Sequence, residues 1–149
     1  MTSAPDTCLD TSVLVRALIE GMPSHQAARS YLDRARRGAA EVAITTHAIA
    51  ELFATITALP TRPRHSPKEA RALIDGVVGF LQVIELDAAT YNTAIRRMAE
   101  RGLSSGAIYD ALHVVAAEKV EAAELVTFNG RDFRRMPPRD PTRLTILPS

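Results

Sequence analysis

Apolar and polar positions along this chain follow two periods. Thr7-Cys-Leu9 is a short apolar run that stops at Asp10, and Val13-Leu-Val15 resumes after the polar pair Thr11-Ser12. That pattern predicts a strand, a turn and a helix, with Asp10 at the carboxyl end of the strand. Gly21-Met-Pro23 breaks this helix, and Ser24 is placed to cap a second. Its apolar residues Ala28, Tyr31, Leu32 and Ala35 keep the helical period, and it ends on Arg36-Arg37 and the C-cap glycine Gly38. Val42-Ala-Ile44 predicts a second strand, with Thr45-Thr46 capping the next helix. There Ile49, Leu52, Phe53 and Ile56 form the expected buried stripe, which gathers His47, Glu51 and Thr55 on a different face. Glu51 therefore falls about one turn beyond a strand's carboxyl end.

Pro60-Thr-Arg-Pro-Arg-His-Ser-Pro67 is a stiff basic linker that is not helical. Ser66-Pro67-Lys68-Glu69 reads as a capping box with proline at the first helical position, ahead of a core face of Ala70, Leu73, Ile74, Val77 and Leu81. Gln82–Leu86 predicts a third strand. Asp87 caps the following helix, with Tyr91, Ala94, Ile95 and Met98 inward and Gly102 as terminator. Ala107 to Ala117 is nearly continuous apolar sequence without Pro or Gly, so a helix running to about Lys119 is expected to be buried all round. Yet Asp110 sits in its first turn. Glu124–Thr127 predicts a fourth strand, Phe128–Phe133 a turn, and Leu144–Leu147 a last strand after the proline-rich loop around Pro137-Pro138 and Asp140-Pro141.

Short strands alternating with helices imply an α/β domain: a three-layer sandwich with a mostly parallel sheet of about five short strands and helices on both faces. No repeat or internal boundary appears, so residues 1–149 are expected to form one domain. Ligands of such sheets bind beyond the carboxyl ends of the strands. Asp10, Glu51 and Asp132 follow strand ends, and Asp110, opening the helix that feeds strand four, is expected at the same edge.

Composition narrows the function little. With 46% hydrophobic and 23% charged residues the chain resembles an ordinary globular protein. The net charge of +1 gives no bulk attraction to nucleic acid. Only Lys68 and Lys119 are lysines; every other cationic residue is arginine, whose fork suits phosphate. A coding bias toward alanine and arginine explains that preference equally well. The single cysteine, Cys8, excludes an internal disulfide and points to a reducing compartment. The opening Met1-Thr-Ser-Ala-Pro-Asp6 lacks the basic and apolar regions of a signal peptide, and no apolar run is long enough to span a membrane. A cytoplasmic protein is expected.

The carboxylates change the picture. Two like charges roughly 4 Å apart repel by about 4 kcal/mol at the effective dielectric of a protein surface. Several acids in one crevice must therefore protonate, splay or recruit a cation. Asp110 also has a purely structural reading, because an acid in a first turn gains about 0.3–1 kcal/mol from the helix dipole. Cys and His do not occur at zinc spacing; His47 and His113 are isolated, and His113 reads as a packed residue. Oxygen donors alone suit Mg²⁺ or Mn²⁺. A hydrated Mg²⁺ at a sheet edge can activate water and offset charge on a phosphate, so phosphodiester hydrolysis is the natural chemistry. A haloacid-dehalogenase-type phosphatase also opens with a strand ending in Asp, but needs a second Asp where Ser12 stands; a receiver domain needs an acidic pair after strand one and a late Lys, neither of which is evident.

Four segments in order, Leu9-Asp10-Thr-Ser-Val-Leu-Val15, Ile49-Ala-Glu51-Leu52, Tyr109-Asp110-Ala-Leu-His113 and Thr127-Phe-Asn-Gly-Arg-Asp132-Phe133, resemble a PIN domain, and more narrowly a VapC-type toxin of bacterial toxin–antitoxin pairs. The resemblance implies a Mg²⁺-dependent endoribonuclease, a homodimer, inhibited by an antitoxin whose C-terminal segment occupies the active-site groove. It makes Asp10 and Asp110 direct metal ligands, with Glu51 helping to bind metal-held water or a second ion. Thr11 or Ser12 would orient Asp10 or cap the following helix. Asn129 stands where many relatives carry Asp, so the fourth position falls to Asn129 or Asp132. Arg16, Arg131 and Arg134 flank the acidic corners and are candidate contacts for the RNA backbone, as well as ordinary surface arginines. Asn129 keeps a second reading open, a catalytically silent PIN scaffold that binds RNA or protein.

Overall fold

The computed structural model describes residues 3–149; Met1 and Thr2, where the stretch expected to lack a leader begins, lie outside the described residues. The strands are β1 (Thr7–Leu9), β2 (Val42–Thr45), β3 (Gln82–Ile84), β4 (Glu124–Thr127) and β5 (Arg143–Ile146). The helices are α1 (Thr11–Leu18), α2 (His25–Arg36), α3 (Thr46–Ala58), α4 (Pro67–Val78), α5 (Ala88–Glu100), α6 (Ala107–Lys119) and α7 (Gly130–Phe133). All five strands form one sheet in the order β3-β2-β1-β4-β5, and every neighbouring pair is parallel. The sheet is thus wholly parallel rather than mostly so.

Successive strand residues point to opposite faces, and here both faces are covered. Leu9, Val42, Ile44 and Val126 enter one core with α1 to α4, while Cys8, Ala43, Ile84 and Leu125 enter the other with α5, α6 and α7. Burial on both sides explains why the strands read as short apolar runs without alternation. The chain leaves β1 for β2 on one side and returns to place β4 on the other. The order therefore reverses between β1 and β4, and the crevice of a parallel sheet opens at such a point. Asp10 follows β1 there, and Asn129 and Asp132 follow β4. Gly130 starts the single-turn α7 pressed against the edge strand, where a Cβ would come within 2.8 Å of Ile146. The expected turn at Phe128–Phe133 thus contains a helical turn.

Two helices, α3 and α5, bury different faces from those the apolar period suggests, while α4 keeps nearly all of its expected face. In α3 the buried positions are Ala48, Leu52 and Ile56, whereas Ile49 is half-buried and Phe53 is 41% exposed. In α5 they are Thr90, Ala94, Arg97 and Met98, and the expected inward residues Tyr91 and Ile95 face out, Ile95 being 56% exposed. The helix is turned because the Asp87 cap draws Thr90 inward and Glu118 of α6 draws in Arg97. In α4 the core face is Ala70, Ile74 and Val77; Leu73 is only half-buried, and Leu81 is buried beyond the helix end. The Ser66–Glu69 capping box forms as expected. Ser24 instead adopts a left-handed φ of 61° and makes no side-chain cap; its hydroxyl donates to the Pro148 carbonyl. β3 stops at Ile84, two residues early. β5 begins one residue early, because its ladder with β4 runs from Glu124–Arg143 to Thr127–Ile146. Ala111 to Ala117 of α6 are buried without interruption, but the first turn of the expected run is not: Ala107 and Ile108 are half-buried and Tyr109 is exposed. Among the described residues no helix is long and apolar enough to cross a membrane.

Candidate active site

The end of β1 sets the site. Asp10 is the N-cap of α1, and its Oδ1 accepts from the backbone amides of Ser12 (2.7 Å) and Val13 (3.3 Å) and from the Ser12 hydroxyl (2.5 Å). Its Oδ2 accepts from the Thr127 hydroxyl at 2.5 Å. Both hydroxyls are themselves held, since Ser12 Oγ accepts from the Phe128 amide and Thr127 Oγ1 from the Asn129 amide. This closed network ties the end of β1 to the end of β4. It keeps a 2%-exposed carboxylate in place without a counter-charge, and each carboxylate oxygen has two acceptor directions, so Oδ2 retains capacity. The open question over Thr11 and Ser12 resolves by division: Ser12 holds Asp10, and Thr11 donates to Glu51 Oε1 at 2.9 Å.

Thr127 opens the fourth of the matching segments, but its residue type gives it no role there, because a threonine in a strand reads as β-branched filler. Thr127→Val keeps the shape, removes a hydrogen bond to a charged group and strands the Asn129 amide. The expected loss is about 1.5–3 kcal/mol of unfolding free energy, measured by urea denaturation.

Glu51 rises one turn into α3. The imidazole of His113 donates from Nε2 to Glu51 Oε1 at 3.3 Å, while its Nδ1 meets the Thr45 hydroxyl at 3.5 Å. An ionised carboxylate only accepts, so the Nε2 facing Glu51 carries the proton, and in the neutral ring Nδ1 is left to accept from the Thr45 hydroxyl, whose oxygen accepts from the Ala48 amide. His113 is packed, as expected, but it also supports an acid. Burial pushes the Glu51 carboxyl up; the hydrogen bonds from His113 and Thr11 and the neighbouring His113 and His47 outweigh it and leave it below its ordinary value. All these contacts fall on Oε1.

Asp110 behaves oppositely. Burial and then the charge of Asp10 push its carboxyl up to about 6; His113 opposes them, and Asp132 and Glu51 add smaller upward contributions. Among the described residues no hydrogen bond or ion pair engages this side chain. The four acids named from the sequence thus feel one another around Asp110. Asp132 itself is exposed on α7, and Asn129 lines a cleft of about 270 Å³ together with Thr11, Ser12, Arg16, Glu51 and Thr55. That volume is below the roughly 300–1,000 Å³ of small-molecule pockets, and the cleft is open, a shape suited to a strand passing over it. Arg16 lines it with its guanidinium 4.0 Å over the Phe128 ring; Arg131, within α7, and Arg134, at its C-cap, are exposed.

No group of three or more His, Cys, Asp or Glu side chains is arranged to hold an ion as it stands, among the described residues. The donor chemistry nevertheless fits a hard divalent cation that takes one or two carboxylates and keeps its waters. Asp110 is a half-buried acid without a partner, facing like charges. The one thiol, Cys8, points into the core behind α6 and is pushed up to about 12 by burial and by Asp10, which removes it as a ligand.

The charge crowding has a measurable consequence. Asp110 titrates near 3.8 unfolded and about 6 folded, so the fold favours its protonated form. That advantage is complete below 3.8 and is lost as pH rises through about 6. Metal-free protein is therefore expected to lose stability across this window, and Asp110→Asn to melt a few degrees higher than wild type at pH 7 but not at pH 4. Thermal melts in chelator at the two pH values check this.

Fold and site together define a class. The PIN domain family model matches residues 7–137, and the chain belongs to that family. Among curated relatives, Ribonuclease VapC40 of Mycobacterium tuberculosis (strain H37Rv) is 31% identical over 137 residues, covering 92% of this chain and 94% of the relative. Ribonuclease VapC27 of the same strain is 32% identical over 127 residues, covering 85% and 87%. Two solved structures show the same fold: VapC20 of M. tuberculosis, a Sarcin-Ricin loop cleaving toxin (TM-score 0.67, 17% identity, 87% of this chain and 95% of that one), and VapBC2 of Rickettsia felis bound to promoter DNA (TM-score 0.64, 22% identity, 95% and 98%).

Proposed function

We propose that this protein is a ribonuclease of the VapC kind, a single PIN domain that hydrolyses RNA phosphodiester bonds with a divalent cation and acts in the cytoplasm as the toxin of a toxin–antitoxin pair. The observation that carries the reading is Asp110: an unpartnered, half-buried carboxyl at the β1/β4 crevice, raised first by its burial and then by Asp10, with Asp132 and Glu51 adding to it. The relatives named as ribonucleases support the activity.

Asp10 and Asp110 would hold the cation, Mg²⁺ or Mn²⁺, with Glu51 beside it. When bound, that ion offsets charge building on the phosphate and makes water a better nucleophile at neutral pH. The chain does the rest. Ser12 and Thr127 fix the direction of Asp10, and Thr11 and His113 fix Glu51. Arg16, lining the cleft with its guanidinium over the Phe128 ring, is placed to meet a phosphate of the strand. Asn129 lines the cleft and Asp132 contributes to Asp110 through its charge, so both stay candidates for the fourth position.

The partners on this reading are RNA, a cognate antitoxin and a second copy of the chain. The outward Tyr91 and Ile95, one turn apart on α5, support an interface between copies. Incubating purified protein with structured RNA, with Mg²⁺, with Mn²⁺ and with chelator, tests the activity. Metal-stimulated cleavage is expected. RNA binding with no cleavage of any RNA in either metal would favour the silent scaffold that Asn129 keeps in view.

A further inference from the structure

Tyr109 precedes Asp110 in the first turn of α6 and is 49% exposed, although the helix behind it is sealed into the core. Its ring lies on that of His47 from the first turn of α3, with centroids 4.9 Å apart and planes 6° from parallel. His47 is held in turn against the site: its Nε2 is 3.4 Å from Glu51 Oε1, is closed off from solvent and lacks hydrogen-bond alignment. Glu51, His47, Tyr109 and Asp110 therefore form one continuous rim, with the inner ring covered and the outer ring open. His47 covers one face of the Tyr109 ring, and about half of the residue is still open to solvent.

A large exposed aromatic beside four acids needs an explanation. Packing does not require it, and the acids repel a polyanion, so a substrate strand must gain affinity here by something other than charge. A flat ring already immobilised by stacking loses little freedom when a second flat group settles on it. Resting on the ribonuclease reading, we propose that Tyr109, backed by His47, is a stacking platform for one unpaired nucleobase next to the scissile phosphate. The enzyme would then select RNA loops, bulges or single strands over paired helices, since a paired base keeps both faces covered. Base–aromatic stacking tolerates any base, so the platform selects an accessible base rather than a sequence.

The test uses an RNA loop carrying 2-aminopurine near the cleaved bond and the Asp10→Asn variant of the whole chain, which is expected to hold RNA while cutting it at least about 100-fold more slowly. Quenching on binding is expected, and its loss in the Asp10→Asn, Tyr109→Leu double variant. In the active protein, Tyr109→Leu is expected to raise KM for the loop about 10-fold or more, with apparent Mn²⁺ affinity unchanged, and Tyr109→Phe to restore it. Should Tyr109→Leu fold poorly, Tyr109→Gln, which removes the ring and keeps a polar edge at this exposed position, reads the same quench and the same KM. Wild-type protein that cleaves while Tyr109→Leu cleaves with the same KM overturns the platform and leaves the nuclease intact. Equal cleavage of a blunt duplex of the same sequence also overturns it. Wild-type protein without metal-stimulated cleavage fails the nuclease reading itself.

Discussion

Asp10→Asn and Asp110→Asn are each expected to lower RNA cleavage by at least about 100-fold while the protein remains folded. A bound cation contributes several kcal/mol of charge stabilisation, and each 1.4 kcal/mol is a factor of ten in rate. Asparagine is nearly isosteric and caps helices as well as aspartate does. In Asp10→Asn the amide oxygen can still accept from Ser12 and Val13, so α1 keeps its start. The Thr127 hydroxyl can rotate to accept from the new amide. Asp10→Ala separates the two roles, because it also removes the cap and is expected to cost a further 0.5–2 kcal/mol or so of stability. For Asp110 the contrast is sharper: the same substitution that removes activity relieves the crowding and stabilises metal-free protein. Cleavage assays and melting curves on the same preparations check both halves. A variant that kept wild-type cleavage would count directly against the ligand assignment.

The largest stability effect is expected away from the site. Arg97 of α5 is 3% exposed and donates from Nη1 to Glu118 Oε1 of α6, while its Nε and Nη2 have no partner. Glu118 is already shared, its Oε2 accepting from the Arg139 amide. Glu118→Ala leaves a buried guanidinium without counter-charge, at a cost of about 3–5 kcal/mol. For a domain of this size that lowers the melting temperature by on the order of 10 °C. Replacing both partners is milder, because a buried pair is costly to halve but cheap to exchange for apolar groups. Arg97→Met with Glu118→Ala is therefore expected to recover most of the loss. A single Glu118→Ala variant losing under 1 kcal/mol in urea would show that water reaches Arg97.

What could be read from the residues alone follows what each signal depends on. β1 ending at Asp10 and the buried α6 with Asp110 near its start rest on local runs, and both hold. The parallel sheet follows from strand and helix alternation. The face of α5 does not, because periodicity counts apolar residues, whereas its orientation is decided by the ion pair from Arg97 to Glu118, 21 positions away. Thr127, supporting Asp10 from 117 positions along the chain, leaves no local trace. Nor does the stacking of His47 on Tyr109, which joins two helices across the site. Ser24 looked like a cap because residue type suggests one; its left-handed backbone forbids it.

Uptake of Mn²⁺ by purified protein, followed through the free-ion signal in electron paramagnetic resonance, tests the central claim most directly. The account predicts saturable binding by wild type, lost together with cleavage in both Asp10→Asn and Asp110→Asn. Equal uptake by wild type and both variants, or cleavage by wild type that takes up no ion, would contradict it.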